Sequence, residues 1–366
     1  MKYIYLVVFL LAFSLQGNSQ APKKTFLKSA QSLKFDGAFY STPVKTQNDN
    51  VVIGSHNKNI YFFNNKGDLL KTFKTKGWIH ATPSLHKNNL ISLGSYDGFI
   101  YFFDQLGNLI KKIQPGGSIF TELVEFGSSK LLFGMNKGKI VSYDIENDTL
   151  QYLDVEKLVH GTPTTLSNGN VAIGSNKGEL YIINHDMQIL STFKTKGWIM
   201  HSKPLELSNG NIVFGSYDKH LYTITPKGEL VWKYKTEGKI HGSPIQNNDG
   251  LIVFGSFDGN VYFIDENGEL KTKFKTGKKV VSTATIVDNN TIAIGSFDKN
   301  LYLLSNHGEF IDSFDTKAKV FSSPIVLDNG NIFCSTMKGH VYFLKPNLNS
   351  NENITLIQQP AILNIN

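Results

Sequence analysis

The sequence predicts an all-β fold, an eight-bladed β-propeller built from four-stranded antiparallel blades. A segment with a Gly-Ser pair, a turn and a Tyr-containing strand recurs eight times, from GSHNKNIYFF at Gly54 to STMKGHVYFL at Ser335. The third copy has Gly-Met at Gly134, and the eighth copy has lost the glycine. Successive copies are 40 residues apart, with one step of 41 between Gly174 and Gly215. Repeats of this length indicate stacked supersecondary units, and four short strands in each unit make a propeller blade.

Within one repeat, residues 79–116, apolar segments alternate with Asn, Asp and Gly turns. Asp97, like Asp218, Asp258 and Asp298, is expected to accept hydrogen bonds from nearby backbone N–H groups of its turn. The four predicted strands of this repeat are residues 79–85, 90–95, 99–104 and 109–114.

The two ends of the array predict how the ring closes. Residues 31–37 align with residues 71–77, an outer strand and the turn after it, whereas the last repeat ends near Lys345 with its third strand. We therefore expect the N-terminal strand to complete the last blade, which removes two exposed sheet edges. Residues 354–358 offer a competing closure, but their register does not match the repeat. The predicted segments are a signal peptide (1–20), a linker (21–29), the propeller (30–345) and a C-terminal tail (346–366).

The N-terminus indicates export. Lys2 precedes an apolar run over residues 6–15 and small-x-small cleavage sites, and the run is too short to span a membrane. No Cys stands at these cleavage sites, and the single Cys of the chain, Cys334, is predicted to be a buried small hydrophobe. We expect a periplasmic or secreted, soluble monomer that has no membrane span and is not a lipoprotein.

The net charge of +7 comes entirely from lysine, because the chain contains no Arg. Arg supplies most bidentate recognition of phosphate and guanine, and these lysines are spread over repeated positions. The pattern favours a solvated face and excludes nucleic acid as the expected partner.

The consensus of the copies resembles the quinoprotein-type, or PQQ-like, β-propeller repeat. The residues that carry the resemblance are HGSPIQNNDGLIVFGS at 241–256 and FGSFDGNVYFIDENGELKTKFKTG at 254–277. This family contains quinone-dependent dehydrogenases and non-catalytic eight-bladed members, such as the lipoprotein scaffold of the outer-membrane barrel-assembly machinery. The chain lacks the adjacent cysteines and the Arg of the dehydrogenases, so the resemblance implies the non-catalytic branch.

Three residues before the repeated Pro lies a column of rings and apolar groups. An adjacent column is uniformly apolar, so strand alternation directs the two columns to opposite sides. Imidazoles facing the axis could line a channel, bind a ligand or a metal, or titrate near neutrality. The 41-residue step leaves it open whether Met200 or His201 occupies the column. The candidate binding residues of the column are Tyr40, His80, Phe120, His160, His201, His241 and Phe321.

Trp78 and Trp198 share a repeat position just after a turn glycine. On a loop they could contact a sugar, a peptide or a protein partner, since Trp is enriched in binding hot spots. Capping of a blade edge is the other interpretation.

No catalytic motif is present, and we predict no catalytic residue, no metal and no cofactor. The sequence favours an exported binding or scaffold protein that presents its loops and funnel mouth to an envelope protein or a polymer. Two alternatives remain: a quinone- or metal-dependent enzyme or cofactor carrier that uses the histidine column, and carbohydrate or peptide binding through Trp78 and Trp198.

Overall fold

The structure, a computed structural model, describes residues 27–346. Within this range 32 strands form eight four-stranded antiparallel sheets, so the predicted eight-bladed propeller is confirmed. The predicted signal peptide and most of the predicted tail lie outside the described residues. No helix in residues 27–346 is long and apolar enough to cross a membrane.

Each blade runs from an inner strand near the axis to an outer strand at the periphery of the ring. The strands of blades 1 to 4 are β2 (Val44–Lys45), β3 (Val51–Gly54), β4 (Asn59–Phe63) and β5 (Leu69–Lys74); β6 (Ser84–Leu85), β7 (Ile91–Gly94), β8 (Ile100–Phe103) and β9 (Leu109–Ile113); β10 (Val124–Phe126), β11 (Lys130–Met135), β12 (Lys139–Asp144) and β13 (Thr149–Asp154); β14 (Thr164–Thr165), β15 (Val171–Gly174), β16 (Glu179–Ile183) and β17 (Ile189–Lys194). Those of blades 5 to 8 are β18 (Leu205–Glu206), β19 (Ile212–Gly215), β20 (His220–Ile224) and β21 (Leu230–Lys235); β22 (Ile245–Gln246), β23 (Ile252–Gly255), β24 (Asn260–Ile264) and β25 (Leu270–Lys275); β26 (Thr285–Ile286), β27 (Thr291–Gly295), β28 (Asn300–Ser305) and β29 (Phe310–Asp315); β30 (Ile325–Val326), β31 (Ile332–Ser335), β32 (His340–Pro346) and β1 (Leu27–Lys34).

The N-terminal strand closes the ring, as the sequence predicts. β1 pairs antiparallel with β32, from Leu27 opposite Pro346 to Lys34 opposite His340, and completes blade 8. The strand begins at Leu27, whereas the sequence places the start of the array at residue 30. Leu27 is buried in the cluster between blades 7 and 8, so closure also fills the core.

The inner strands are shorter than predicted. The segment predicted as a strand over residues 79–85 pairs in a regular ladder only at Ser84–Leu85. Pro83 cannot donate to a ladder. The N–H of Ile79 instead donates to Ser55 O in the preceding blade, at 3.3 Å. The rest of the predicted strand is therefore a crossover segment held to its neighbour.

Eight hydrophobic clusters hold the blades together, one for each pair of neighbouring blades. The glycine of each Gly-Ser pair sits at this interface. A Cβ on Gly54 would lie 2.1 Å from Ile79 Cγ2, and one on Gly295 would lie 2.2 Å from Val320 Cγ1. The glycine is required because a β-branched residue of the next crossover approaches its backbone.

The turn aspartates act as the sequence predicts and also bind a tyrosine. Asp97 Oδ1 accepts the N–H of Phe99, and Asp97 Oδ2 accepts the N–H of Lys76 and the hydroxyl of Tyr101, at 3.1, 2.9 and 2.9 Å. Burial by itself would raise the pKa of Asp97, but these hydrogen bonds outweigh it and the pKa is lowered. These aspartates therefore hold the turns that support the crossovers.

Candidate functional site

The histidine column meets on the propeller axis and forms an axial plug of stacked rings. His201 stacks on His80 and on His241, with ring centroids 4.8 Å apart in both pairs. Tyr40 stacks on His80 at 5.3 Å, and Phe321 packs edge-on against Tyr40 at 4.8 Å. Phe120 contacts His160 at 4.3 Å on the opposite side of the plug. The structure thus brings together all seven ring residues that the sequence singles out in this column.

The extra residue of the 41-residue repeat lets His201 reach the axis. Ile199 occupies the apolar column, where its Cγ2 lies 2.2 Å from the position of a Cβ built on Gly174. Ser202 Oγ accepts the N–H of Gly215 at 3.2 Å, as Ser282 Oγ accepts that of Gly295 in another repeat. The insertion therefore lies between Ile199 and Ser202. His201 adopts a positive φ of 60° and donates its N–H to His160 O.

The imidazoles of the plug are neutral. Burial, followed by the neighbouring histidines, holds the pKa of His80 and His201 well below the ordinary value. Burial lowers the pKa of His160 to about 4, and burial with the nearby His80 lowers that of His241 to about 3. A neutral stack avoids the repulsion that several imidazolium groups would create.

The rings of the plug face one another and do not aim their nitrogens at one centre. The Nε2 atoms of His80 and His160 are buried and have no hydrogen-bond partner. His56 Nε2 lies 3.4 Å from His80 Nδ1, and Asn176 Nδ2 lies 3.3 Å from His160 Nδ1. Across residues 27–346, no group of three or more His, Cys, Asp or Glu is placed to hold a metal ion. The geometry favours a packed plug.

Beyond the plug the axis holds a cavity of about 550 Å³. Its wall includes a ring of residues that immediately precede the repeated Pro position, and the sequence analysis did not single these out. Glu122 and Lys203 form an ion pair across it, with Oε2 and Nζ 3.1 Å apart. Backbone N–H groups link the ring, as Lys203 N donates to Ser243 Oγ and Ser243 N to Thr283 Oγ1, both at 2.9 Å. The ring consists of Thr42, Thr82, Glu122, Thr162, Lys203, Ser243, Thr283 and Ser323.

The two tryptophans lie on the crossovers, on a surface that we call the crossover rim. Trp78 and Trp198 are each 50% exposed. Each carbonyl accepts a backbone N–H from the turn between the second and third strands of the next blade, at 2.9 and 2.8 Å. The same backbone contact fixes each equivalent residue. The crossover rim consists of Ala38, Trp78, Ser118, Leu158, Trp198, Lys239, Lys279 and Lys319.

A second set of rings supports the crossover rim. Trp78 stacks on His56 with centroids 5.2 Å apart, and Trp198 stacks on Tyr217 at 6.0 Å. These supporting rings occupy the variable position of the G-S-x-D turn, where the aromatic residues are visible in the sequence as GSH, GSY and GSF. The sequence analysis missed them because it weighed the aspartate of the turn and not the residue before it. The supporting rings are His56, Tyr96, Tyr217, Phe257 and Phe297.

Along the chain, each crossover contributes in turn to the crossover rim, to the axial column and to the cavity wall. A rim residue comes first, a plug residue follows two positions later, and a cavity-wall residue follows two positions after that, as in Trp78, His80 and Thr82. Only the crossover with the insertion, which carries Trp198 and His201, has a longer first step. The plug therefore separates the exposed rim from the axial cavity.

Comparisons with known proteins agree on the fold. A family model described as the lambda-carrageenase β-propeller domain matches residues 245–366, a third of the chain. The crystal structure of BamB from Moraxella catarrhalis is similar with a TM-score of 0.72 and 16% identity, covering 87% of this chain and 99% of that one. A computationally designed protein, Ika8, is similar with a TM-score of 0.72 and 18% identity over the same shares. No curated protein matches the sequence. At these identities the likenesses establish the propeller fold and do not establish the function.

Proposed function

We propose that this protein is a non-catalytic binding or scaffold protein of the cell envelope, whose crossover rim docks a protein or a polymer. The observation that carries the proposal is the pair Trp78 and Trp198. Both indoles are half exposed, at equivalent positions, each lying against a supporting ring and held by a backbone hydrogen bond. A large, rigid, exposed indole loses little entropy when it is covered, which makes it an effective anchor for a partner.

The resemblance of the repeats to a family with non-catalytic scaffold members supports the absence of catalysis. The likeness to BamB supports a full-length propeller frame, on which crossovers vary while strands stay fixed. The matched carrageenase domain belongs to an enzyme named for a polysaccharide, which supports keeping a polymer among the partners.

The axial plug favours this proposal over a cofactor-binding enzyme. In the plug, His80, His201 and His241 are stacked face to face at 4.8 Å, and their side chains are packed by Phe321. Rings in such a stack present their faces to one another and have little freedom to turn their nitrogens toward one ligand. We therefore place the binding surface on the crossover rim.

The test is partner binding by a double variant with a matched control. The mature protein is used to isolate partners from its own envelope, and each purified partner is then titrated by isothermal titration calorimetry. We expect Trp78→Ala with Trp198→Ala to weaken binding by about tenfold to a hundredfold, because hot-spot tryptophans contribute roughly 2 kcal/mol or more. The control is Leu70→Ala with Leu190→Ala, which removes two equally exposed apolar residues from the outer strands that precede these two crossovers.

Equal affinity of the two double variants would place the binding surface elsewhere. A quinone or metal that copurifies in stoichiometric amount, and that is lost in the variant His80→Ala with His241→Ala, would overturn the proposal in favour of a cofactor protein.

A further inference from the structure

The crossover rim is not uniform around the ring. Three consecutive crossovers, those entering blades 6, 7 and 8, carry lysine at the position where Trp78 and Trp198 stand elsewhere. The crossover just before them carries Trp198. We call these four residues the cationic strip: Trp198, Lys239, Lys279 and Lys319.

Each lysine of the strip lies over supporting rings. Lys239 Nζ is 4.9 Å from the centroid of the Tyr217 ring. Lys279 Nζ lies 4.4 and 4.5 Å from the centroids of Phe257 and Phe297. Lys319 Nζ is 5.5 Å from the Phe297 ring. Cation–π attraction holds the ammonium groups against the rings and reduces their freedom, so the charges are partly positioned before any ligand arrives.

The strip has no anionic partner of its own. Several lysines elsewhere form ion pairs with carboxylates, including Lys111, Lys139, Lys177 and Lys203. Within the described part of the chain, no carboxylate lies within ion-pair distance of the three lysines of the strip.

The lysines of the strip also repel one another. Burial lowers the pKa of Lys279, and the charges of Lys319 and Lys239 lower it further. An uncompensated group of like charges on a binding surface favours an anionic ligand that spans several of them.

The composition of the strip favours a saccharide over a protein segment. A protein partner needs a fully desolvated apolar centre, and the strip exposes a single apolar anchor, the indole of Trp198. A flat indole beside ammonium groups suits a sugar ring that carries charged substituents. An ammonium is a compact point charge with rotatable donors, so it accepts sulfate or carboxylate over a range of angles. Repeated charges along a polymer match three cations on successive crossovers.

We propose that the cationic strip binds an anionic polysaccharide through its sulfate or carboxylate groups, with Trp198 stacked on a sugar ring. The proposal rests on the proposed function, in which the crossover rim is the binding surface, and it names the class of polymer.

The experiment measures binding of the mature protein to dextran sulfate, polygalacturonate, neutral dextran and polyglutamate. We expect the sulfated or the carboxylated polysaccharide to bind at least about tenfold more tightly than neutral dextran, with an affinity that falls as salt rises. The variant K239Q/K279Q/K319Q should lose about tenfold or more of that affinity, because three charge contacts are removed. The matched control, K74Q/K233Q/K273Q, removes three exposed lysines from the outer strands and should change the affinity less than about twofold.

Three results would overturn the proposal. Equal weakening by the two triple variants would show that net charge, and not the strip, attracts the polymer. Neutral dextran binding as tightly as the charged polysaccharides would remove the role of sulfate or carboxylate. Polyglutamate binding as tightly as either charged polysaccharide would make the strip a site for acidic protein segments.

Different results would overturn the proposed function and the inference about the cationic strip. If an isolated envelope partner binds through Trp78 and Trp198 while the triple variant keeps its affinity for dextran sulfate and polygalacturonate, only the inference about the strip is lost. If the partner binds equally well without both indoles, the proposed function is lost whatever the polysaccharides do.

Discussion

At the scale of single residues, the histidines on the axis make the fold sensitive to acid. Burial keeps His241 neutral, and with the nearby His80 it lowers the pKa of His241 to about 3. In the unfolded chain the same imidazole titrates near its ordinary pKa of about 6.5. Between these values the unfolded chain binds more protons than the folded protein, so stability falls as the pH falls from about 6.5.

We predict that His241→Phe makes the protein less sensitive to acid. Between pH 7 and pH 5 the native protein should lose up to about 2 kcal/mol of unfolding free energy for each such buried histidine. Urea unfolding at the two pH values should show a smaller loss in the variant. The same substitution at the exposed His185, whose side chain is not buried, serves as the control. An equal loss in His241→Phe and the native protein would mean that His241 carries a proton in the folded state.

At the scale of structural elements, the Gly-Ser pair is a packing device between blades. In the seven copies that keep the glycine, the facing residue of the next crossover is β-branched, as Ile240 is opposite Gly215. The eighth copy has Ser335, and the equivalent crossover residue there is Phe39, which has no branch at Cβ. Serine thus replaces the glycine in the one copy where the facing residue has no branch at Cβ.

We predict unequal effects on stability for two reciprocal exchanges, Gly→Ser in blade 5 and Ser→Gly in blade 8. Gly215→Ser should destabilise the protein by about 1–3 kcal/mol, because its Cβ would lie only 2.3 Å from Ile240 Cγ2 and would force the blades apart. Ser335→Gly should change stability by less than about 1 kcal/mol, since it removes a buried hydroxyl that has no hydrogen-bond partner. Thermal unfolding of both variants measures the contrast. Similar losses of stability in both variants would show that the facing branched residue is not the reason for the glycine.

Some features of these elements could be predicted from the sequence, and others could not. The repeat period sets the number of blades, and the alignment of residues 31–37 with residues 71–77 sets the closure, so both could be predicted. The meeting of His80, His201 and His241 could not, because it depends on a one-residue insertion whose register the sequence leaves open. The cationic strip was missed because its lysines resemble the many solvated lysines of the repeats, and only the three-dimensional contacts show the rings beneath them.

At the scale of the whole molecule, the ring depends on β1 to close it. Leu27 and Leu33 enter the clusters on the two sides of blade 8, and Leu27 N donates to Asp312 Oδ2 at 2.8 Å. Without β1, the edge of β32 would be exposed to solvent and to other chains.

We predict that a chain beginning at Phe35 melts roughly 5–10 °C lower, since several kcal/mol are lost in a protein of this size. It should also associate through the open edge of β32, which light scattering would detect. A synthetic peptide of residues 27–34 should restore the melting temperature. An unchanged melting temperature would show that the ring does not need its closing strand.

The central claim, that the crossover rim is the surface this propeller uses, is tested most directly by hydroxyl-radical footprinting. The protein is oxidised in an extract of the cells that make it and after purification, and the modification of each residue is compared by mass spectrometry. We predict that oxidation of Trp78 and Trp198 falls several-fold in the extract, whereas that of Leu70 and Leu190 on the outer strands does not change. Protection of the outer strands, with both tryptophans equally oxidised in the two samples, would contradict the account.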